Sequence, residues 1–210
     1  MKLALFDVDF TLTRKETLIA FYAFLVRKHP AYLRHLPKAA ASGGLYQLGM
    51  IKEKETKEMF LAFLQDMPME RLDALCEEFL EKRLIPLLYA DGLEKIAELK
   101  EKGYTIILTS ASPEFYITKL KTICQADLVM GTRFQVKEGR FTGIMEGENN
   151  KGAEKVLRLY TALEGQDVDY AESYMFSDSM SDEPLLKIVG KPFLINYRKR
   201  NPKYPVLFWR

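Results

Sequence analysis

Two pairs of aspartates stand far apart in this chain, Asp7 and Asp9 in LALFDVDFTLT and Asp178 and Asp182 in YMFSDSMSDEPLL. Each pair follows a short apolar run that reads as a buried strand, Lys2 to Phe6 in one case and Tyr174 to Phe176 in the other. Carboxylates are rarely buried without a partner. Four of them at strand ends therefore point to a shared metal site rather than to unrelated surface groups. Residues two apart on an extended segment point the same way, so Asp7 and Asp9 can reach one substrate. One carboxylate can attack as a nucleophile while the other handles protons, which needs two acids in different environments. The competing reading is a strand-end turn with solvated aspartates. Asp178 and Asp182 span a turn and the start of a helix. Hard oxygen ligands of this kind suit Mg²⁺, which takes one or two carboxylates and keeps several waters. For Asp182 the alternative is a helix cap, or an acid in a first turn that favours the macrodipole.

Other residues add to this set. Ser110 ends a strand just ahead of a helix, where its hydroxyl and the adjacent backbone N–H groups could hold a phosphate. An N-cap role fits Ser112 better than Ser110, with Pro113 at the first helical position. Lys155 lies on the helix of GAEKVLRL, where a cation would neutralise charge gathered by carboxylates and phosphate. Most helical lysines are simply solvated, so Lys155 alone would mean little. His29 and His35 read as surface or packing residues, because no acid or second histidine shares their helical face. Phe21, Tyr22 and Phe24 read as core.

The elements that position these groups follow from periodicity. The run to Phe6 is apolar throughout, as a parallel strand covered on both faces should be. From Glu16 to about Leu88 apolar residues recur at helical spacing, punctuated by Pro30, Pro37, Gly43, Gly44 and Pro68, with no convincing strand. An α/β rhythm then resumes: GLEKIAELKEKG is a helix closed by Gly103, TIILTS a strand, and SPEFYITKLKTIC a helix. DLVMGTRFQVKEGRFTGIM holds short extended segments with a hairpin turn at EGR, GAEKVLRLYTAL is a helix, and SYMFS a strand. SDEPLLKIVG is a helix and KPFLIN a last strand. Such alternation predicts a doubly wound parallel sheet with helices on both faces. Ligands bind beyond the carboxyl ends of its strands, where Asp7 and Asp9, Thr109 and Ser110, and Asp178 all fall.

Asp7-Val8-Asp9-Phe10-Thr11-Leu12, then Ser110, Lys155, and Ser177-Asp178-Ser179-Met180-Ser181-Asp182, resemble the four ordered motifs of the haloacid dehalogenase superfamily. TSASPEFY, GTRF, GRFTGIMEG and GAEKVLRL are similar to the running text of its phosphoserine-phosphatase-like subfamily, IB. The resemblance covers nearly the whole chain and is weakest in the helical insertion and the last dozen residues. It implies an α/β, Rossmann-like core of residues 1–13 and 87–210 with an inserted all-helical C1 cap, residues 14–86. It also implies a Mg²⁺-dependent phosphomonoester hydrolase acting on a small phosphorylated metabolite. Asp7 would form a phosphoaspartyl intermediate, and Asp9 would protonate the leaving oxygen and then activate water. Mg²⁺ would be held by Asp7, the backbone carbonyl of Asp9, and Asp178, with Asp182 supporting the metal's waters or the lysine. Ser110, with the adjacent Ala111, would bind phosphoryl oxygens, and Lys155 would balance charge. An acid at position 9 favours phosphate ester hydrolysis, or a phosphomutase reaction, over dehalogenation or ion pumping.

There are departures from the family pattern. Phe10 stands where the family usually has Gly. Lys151 competes with Lys155 for the third motif, and Lys155 is preferred because it sits within the helix leading to the motif-four strand. Glu16 occupies the place where phosphoserine phosphatases hold the substrate amine, but IKEKETKEMFLAF lacks their matching cap arginine. Phosphoserine is therefore not the expected substrate.

A chain of 210 residues with 31 basic and 29 acidic side chains has no global basic field, which argues against a nucleic-acid partner. Cys76 and Cys124 lie far apart in helical surroundings and read as reduced core residues. No signal peptide is visible and Leu18 to Val26 is too short to span a bilayer, so a cytoplasmic location is expected. RKHPAYLRHLPK and the tail YRKRNPKYPVLFWR are basic with interleaved aromatics. They favour a solvated basic face and an anchored terminus over contact with lipid head groups. Two rival readings remain, a phosphatidylglycerophosphate-like lipid phosphatase at a membrane surface and a non-catalytic phospholigand-binding module.

Overall fold

The computed structural model describes residues 1–200 and 202–210. Its sheet is built from β1 (Leu3–Phe6), β2 (Thr105–Pro113), β3 (Leu128–Thr132), β6 (Tyr174–Ser177), β7 (Lys191–Ile195) and β8 (Val206–Leu207). The spatial order is β3-β2-β1-β6-β7-β8 and every pairing is parallel. Ala4 and Phe6 enter one apolar cluster while Leu3 and Leu5 enter another. Both faces of β1 are thus covered, which is why its sequence is apolar without alternation. The chain leaves β1 toward β2 and β3 and later returns on the other side at β6. That reversal makes the carboxyl end of β1 a topological switch point, the usual place for a ligand crevice.

Between β1 and β2 the described residues form helices and turns, with isolated bridges pairing Thr13 with Leu88 and Pro68 with Arg140. They are α1 (Thr17–Lys28), a 3₁₀ turn over Pro30–His35, α2 (Leu36–Gln47), α3 (Glu53–Leu61) and α4 (Met69–Phe79). A π-helical turn over Leu80–Leu84 leads to the short α5 (Ile85–Leu87). Phe21 of α1 is buried against Phe79 and Tyr116, with ring centroids 5.1 and 5.2 Å away, so α1 packs on the core. Phe21, Tyr22 and Phe24 are all buried, as their spacing predicts.

α6 (Ala90–Glu101) ends where Gly103 adopts φ +76°, with Gly103 N–H bonded to the Lys100 carbonyl and Tyr104 N–H to that of Leu99. That is the reciprocal pattern of a glycine C-cap. β4 (Phe134–Lys137) and β5 (Arg140–Met145) form a separate hairpin whose turn residues Glu138 and Gly139 have φ 51° and 70°, as a two-residue primed turn requires. The hairpin is laced to the insertion through Asp66 N–H to the Phe141 carbonyl, Phe141 N–H to Met67, and Met69 N–H to Gly139, each 2.9 Å.

Three expectations need correction. The helix expected from Ser112 begins instead at Glu114 and is broken into α7 (Glu114–Ile117) and α8 (Leu120–Ile123). β2 runs through Ser110 to Pro113, so neither Ser110 nor Ser112 sits at a helix start. The reason is electrostatic: the Ser112 hydroxyl donates to the Asp9 carboxylate at 2.7 Å, a stronger acceptor–donor pairing than a neutral cap. Nor is β7 the last strand, because β8, within the basic tail, pairs with it; Asn201 of that tail lies outside the described residues. The tail is anchored by buried Trp209, whose ring lies 5.7 Å from Phe176 and 6.5 Å from Phe6. The remaining helices are α9 (Ala153–Ala162) and α10 (Glu183–Ile188), the latter preceded by a 3₁₀ turn, Met180–Asp182.

Candidate active site

Asp7 continues the β1–β6 ladder through its N–H to the Phe176 carbonyl (3.0 Å), which fixes its side chain at the mouth of the crevice. The carboxylate is buried. Its Oδ1 accepts from Lys155 Nζ at 2.7 Å and its Oδ2 from Thr11 Oγ1 at 3.1 Å. Thr11 Oγ1 in turn accepts from the Asp178 N–H at 2.8 Å, tying the ends of β1 and β6 together. Burial pushes the Asp7 carboxyl up to about 8, with Lys155 opposing and Asp182, Asp9 and Asp178 adding to the rise.

Lys155 reaches this floor from α9 and is itself buried. Its ammonium bonds Asp7 and Asp182, both at 2.7 Å. Asp182 precedes α10 but makes no side-chain cap, because its Oδ2 is taken by Lys155 and by Ser177 Oγ at 3.0 Å. Its Oδ1 is buried with no hydrogen-bond partner. Asp178 lines the pocket, and burial followed by Asp182 raises its carboxyl to about 6. Lys151 instead points to the insertion and pairs with Glu53 of α3 at 3.1 Å, so of the two candidate lysines only Lys155 touches the acids of β1 and the β6 turn.

Asp9 faces the other wall. Its Oδ1 accepts from Thr17 N–H and Thr17 Oγ1, both at 2.6 Å, and its Oδ2 from Ser110 Oγ at 2.9 Å and Ser112 Oγ at 2.7 Å. Four donors hold this carboxylate against the first turn of α1 and the end of β2. Ser110 is fully buried, and its Oγ also accepts from Ser112 N–H; Ala111 and Ser112 line the pocket while Ser110 stands behind them. Glu16 caps α1 by accepting from Ile19 N–H at 3.1 Å, and burial followed by Asp9 raises its carboxyl.

The pocket over these groups encloses about 210 Å³ and is roofed by Glu53 and Lys57 of α3. Lys57 Nζ donates to the Ala111 carbonyl at 2.5 Å and to Asn149 Oδ1 at 2.7 Å. Sequence reasoning passed over Lys57 and gave no role of its own to Asn150, or to Thr11 and Ser177 inside the first and fourth motifs. Asn150 is buried, and its two Nδ2 hydrogens serve the Ser110 and Met130 carbonyls at 3.0 Å each, with Thr109 Oγ1 beside them at 3.2 Å, which clamps β2 to β3 beneath the site. The one available signal was Asn150 beside Lys151 in ENNKG, a polar cluster just before the Lys155 helix. The structure thus brings Asp7, Asp9, Ala111, Lys155, Asp178, Asp182 and Glu16 around one pocket, with Ser110 directly behind it.

A parallel α/β sheet with an acid-lined crevice at its switch point is a ligand-binding architecture. The model of the haloacid dehalogenase-like hydrolases matches residues 4–187, and the chain belongs to that family. It is an enzyme of the family's phosphatase kind. It is 28% identical to a phosphoserine phosphatase of Methanocaldococcus jannaschii, over 90% of this chain and 82% of that one. It is 27% identical to a histidinol-phosphatase of Neisseria meningitidis, over 92% and 90%. Among solved structures, a protein of unknown function from Bordetella pertussis Tohama I superposes with a TM-score of 0.87 at 25% identity, covering 98% and 97%. A phosphoserine phosphatase in a phospho-aspartyl intermediate analogue gives 0.63 at 22% identity, covering 94% and 87%, a likeness of fold.

Proposed function

We propose that the protein hydrolyses phosphate monoesters of small metabolites through a covalent intermediate on Asp7. The observation that carries this reading is the buried Asp7 carboxylate, held by Lys155 and Thr11 at the floor of a small acid-lined pocket. An Asp7 oxygen attacks phosphorus while the ester oxygen leaves with a proton from Asp9. Asp9 then takes a proton from water, whose oxygen attacks the acyl phosphate and releases phosphate and free Asp7. Thr17, Ser110 and Ser112 keep Asp9 beside Asp7 for both transfers, and Lys155 offsets charge on the floor.

Among the described residues no group of three or more His, Cys, Asp or Glu side chains forms a ready metal cage. The donor chemistry nevertheless fits Mg²⁺, which needs only one or two carboxylates. Asp7 and Asp178 are both raised by burial and by neighbouring acids, and Asp182 Oδ1 lacks a partner, the imbalance that a divalent cation offsets. Asp7, Asp178 and the Asp9 backbone carbonyl would hold it, with Asp182 supporting from behind. When bound, the ion supplies Lewis-acid neutralisation of the phosphoryl oxygens. Residues 1–13 and 87–210 form the catalytic core on this reading, and residues 14–86 the cap, divided at the Thr13–Leu88 bridge.

A second substrate reading rests on a groove of about 520 Å³ beside the catalytic pocket, sharing Phe10 and Glu16 with it. Ile19, Phe24 and Leu87 give it an apolar wall, and Lys15, Arg27 and Arg83 put cations along it. It favours an amphiphilic leaving group such as that of a lipid phosphate. Side-by-side turnover of sugar phosphates, phosphoserine, phosphocholine and a micellar lipid phosphate separates the two. The shared chemistry is tested first: Asp7→Asn is expected to cut Mg²⁺-dependent turnover of an aryl phosphate by at least about 10³-fold with the fold intact. Full activity in that variant would remove Asp7 as nucleophile.

A further inference from the structure

The insertion contains a long stretch without acids. No Asp or Glu occurs from Thr17 to Lys52, in a chain with 29 acids among 210 residues, while Arg27, Lys28, Arg34, Lys38 and Lys52 all fall there. Lys28 is ion-paired to Glu78, but among the described residues Arg27, Arg34 and Lys38 have no carboxylate partner. A basic run is most often just a solvated face. What separates this one is its apolar side chains, which the helical pattern would place in a core and the structure does not. Leu33, Leu36, Tyr46, Leu48 and Met50 are all exposed, and Leu48 (74%) and Met50 (68%) are the two most exposed large apolar residues described. Among the described side chains of α2, only Ser42 is buried. Leu36, Ala40, Gly44 and Leu48 follow one another at four-residue spacing, a single stripe along the helix and its final turn, and all four are exposed.

We infer that this face, from the 3₁₀ turn at Pro30–His35 through α2 to Met50, docks on an anionic phospholipid surface. Apolar side chains at that depth enter the headgroup boundary while flanking Arg and Lys reach the lipid phosphates, as in interfacial helices. Charge selects this occupant over the others. A second copy of the chain would bring like charges together, which is unfavourable at an interface. A nucleic acid would meet the cations but leave Leu33, Leu36, Leu48 and Met50 without a partner. No helix among the described residues is long and apolar enough to cross a membrane, so the contact is with a surface. The inference does not rest on the proposed hydrolysis, because the face contains none of the catalytic groups.

The test is co-sedimentation with phosphatidylcholine vesicles prepared with and without phosphatidylglycerol. The full chain is expected to partition onto the anionic vesicles at low salt and to be released when salt shortens the Debye length to about 3 Å. Arg34→Gln with Lys38→Gln should lower partitioning roughly 25-fold, about fivefold per charge. Leu48→Gln with Met50→Gln should weaken it further, and both double variants should keep the parent's circular dichroism and aryl phosphate turnover. Asp7→Asn should bind vesicles like the parent, which separates this inference from the hydrolytic one. Three results would overturn it: no partitioning onto anionic vesicles, equal partitioning onto neutral ones, or a parent dimer that the Leu48 and Met50 changes dissociate.

Discussion

Lys155 and Lys57 face one pocket from opposite sides, and the same side chain meets opposite electrostatics. On the floor, burial opposes the charge of Lys155, but the Asp182 and Asp7 carboxylates outweigh it and hold the ammonium well above the usual lysine range. In the roof, Lys57 among the described residues donates to the Ala111 carbonyl and Asn149 Oδ1 alone, and desolvation pushes it down to about 8 against the pull of Glu53, Asp9 and Glu16. The floor cation is committed to the protein's own acids, so it organises the site. The roof cation is bound only to neutral oxygens, so its charge is available to what enters the pocket. A lysine's role here follows from what accepts its protons rather than from its burial.

The largest effect should come from breaking the floor. Lys155→Met leaves Asp7 and Asp182 facing each other without a counter-charge, and removal of one partner of a buried ion pair costs about 3–5 kcal/mol. Urea unfolding should register that loss, with turnover falling on the order of 10²-fold or more. A stability change below about 1 kcal/mol would mean that Asp7 and Asp182 do not depend on this lysine.

The acids of the same floor give the next effect. Burial raises the Asp7 carboxyl from 3.8 to about 8 against the pull of Lys155, and burial followed by Asp182 raises that of Asp178 to about 6. Between those values the folded state retains protons that the unfolded state has released. Stability of the metal-free protein should therefore fall as pH rises from about 4 to about 8. Mg²⁺ favours the ionised carboxylates and should flatten the slope. Urea midpoints at several pH values, in chelator and in Mg²⁺, measure both, and a metal-free slope of opposite sign would contradict the burial argument.

Lys57→Met tests the roof and should do less to the fold. The Thr132 hydroxyl lies 2.7 Å from the Ala111 carbonyl and 2.8 Å from Asn149 Oδ1 and can give its one hydrogen to either, so at most one acceptor is left to pocket water. Stability should change by less than about 1 kcal/mol. kcat/KM should drop about tenfold through loss of a cation near the phosphoryl group. The two lysines would then separate in urea, where the floor lysine registers and the roof lysine does not, while both register in kinetics.

The floor was legible in the sequence and the roof was not. Asp7, Asp9 and Asp178 follow strands whose apolar runs identify them, and Lys155 follows from helical context, so local pattern was enough. Lys57 lies in IKEKETKEMF among other charges, and only the packing of α3 over the β2 end selects it. Ser112 was misplaced for a related reason. Its local context is that of a helix cap, but a carboxyl acceptor more than 100 residues earlier takes its hydroxyl. β8 has two residues, too few for periodicity to register. Leu33, Leu36 and Leu48 have ordinary core spacing, and their exposure becomes visible only when α2 is seen to lie outside the packed core.

The smallest expected effect concerns Phe10, which borders both the catalytic pocket and the groove beside α1. It has φ 58°, and the residue is 47% exposed. A left-handed conformation costs a residue with a Cβ roughly 1–2 kcal/mol, and a bulky one rarely adopts it. The turn needs it, because Leu12 and Thr13 N–H both converge on the Val8 carbonyl, at 2.9 and 3.0 Å. Phe10→Gly should relieve that strain but lose roughly 0.5–1 kcal/mol to the greater freedom of the unfolded chain. The net gain should be no more than about 1.5 kcal/mol, or about 3–6 °C in Tm. If the ring is retained for its contacts, KM should rise for aryl and long-chain phosphates and stay level for the smallest esters. An equal change for every ester would assign Phe10 to the turn alone.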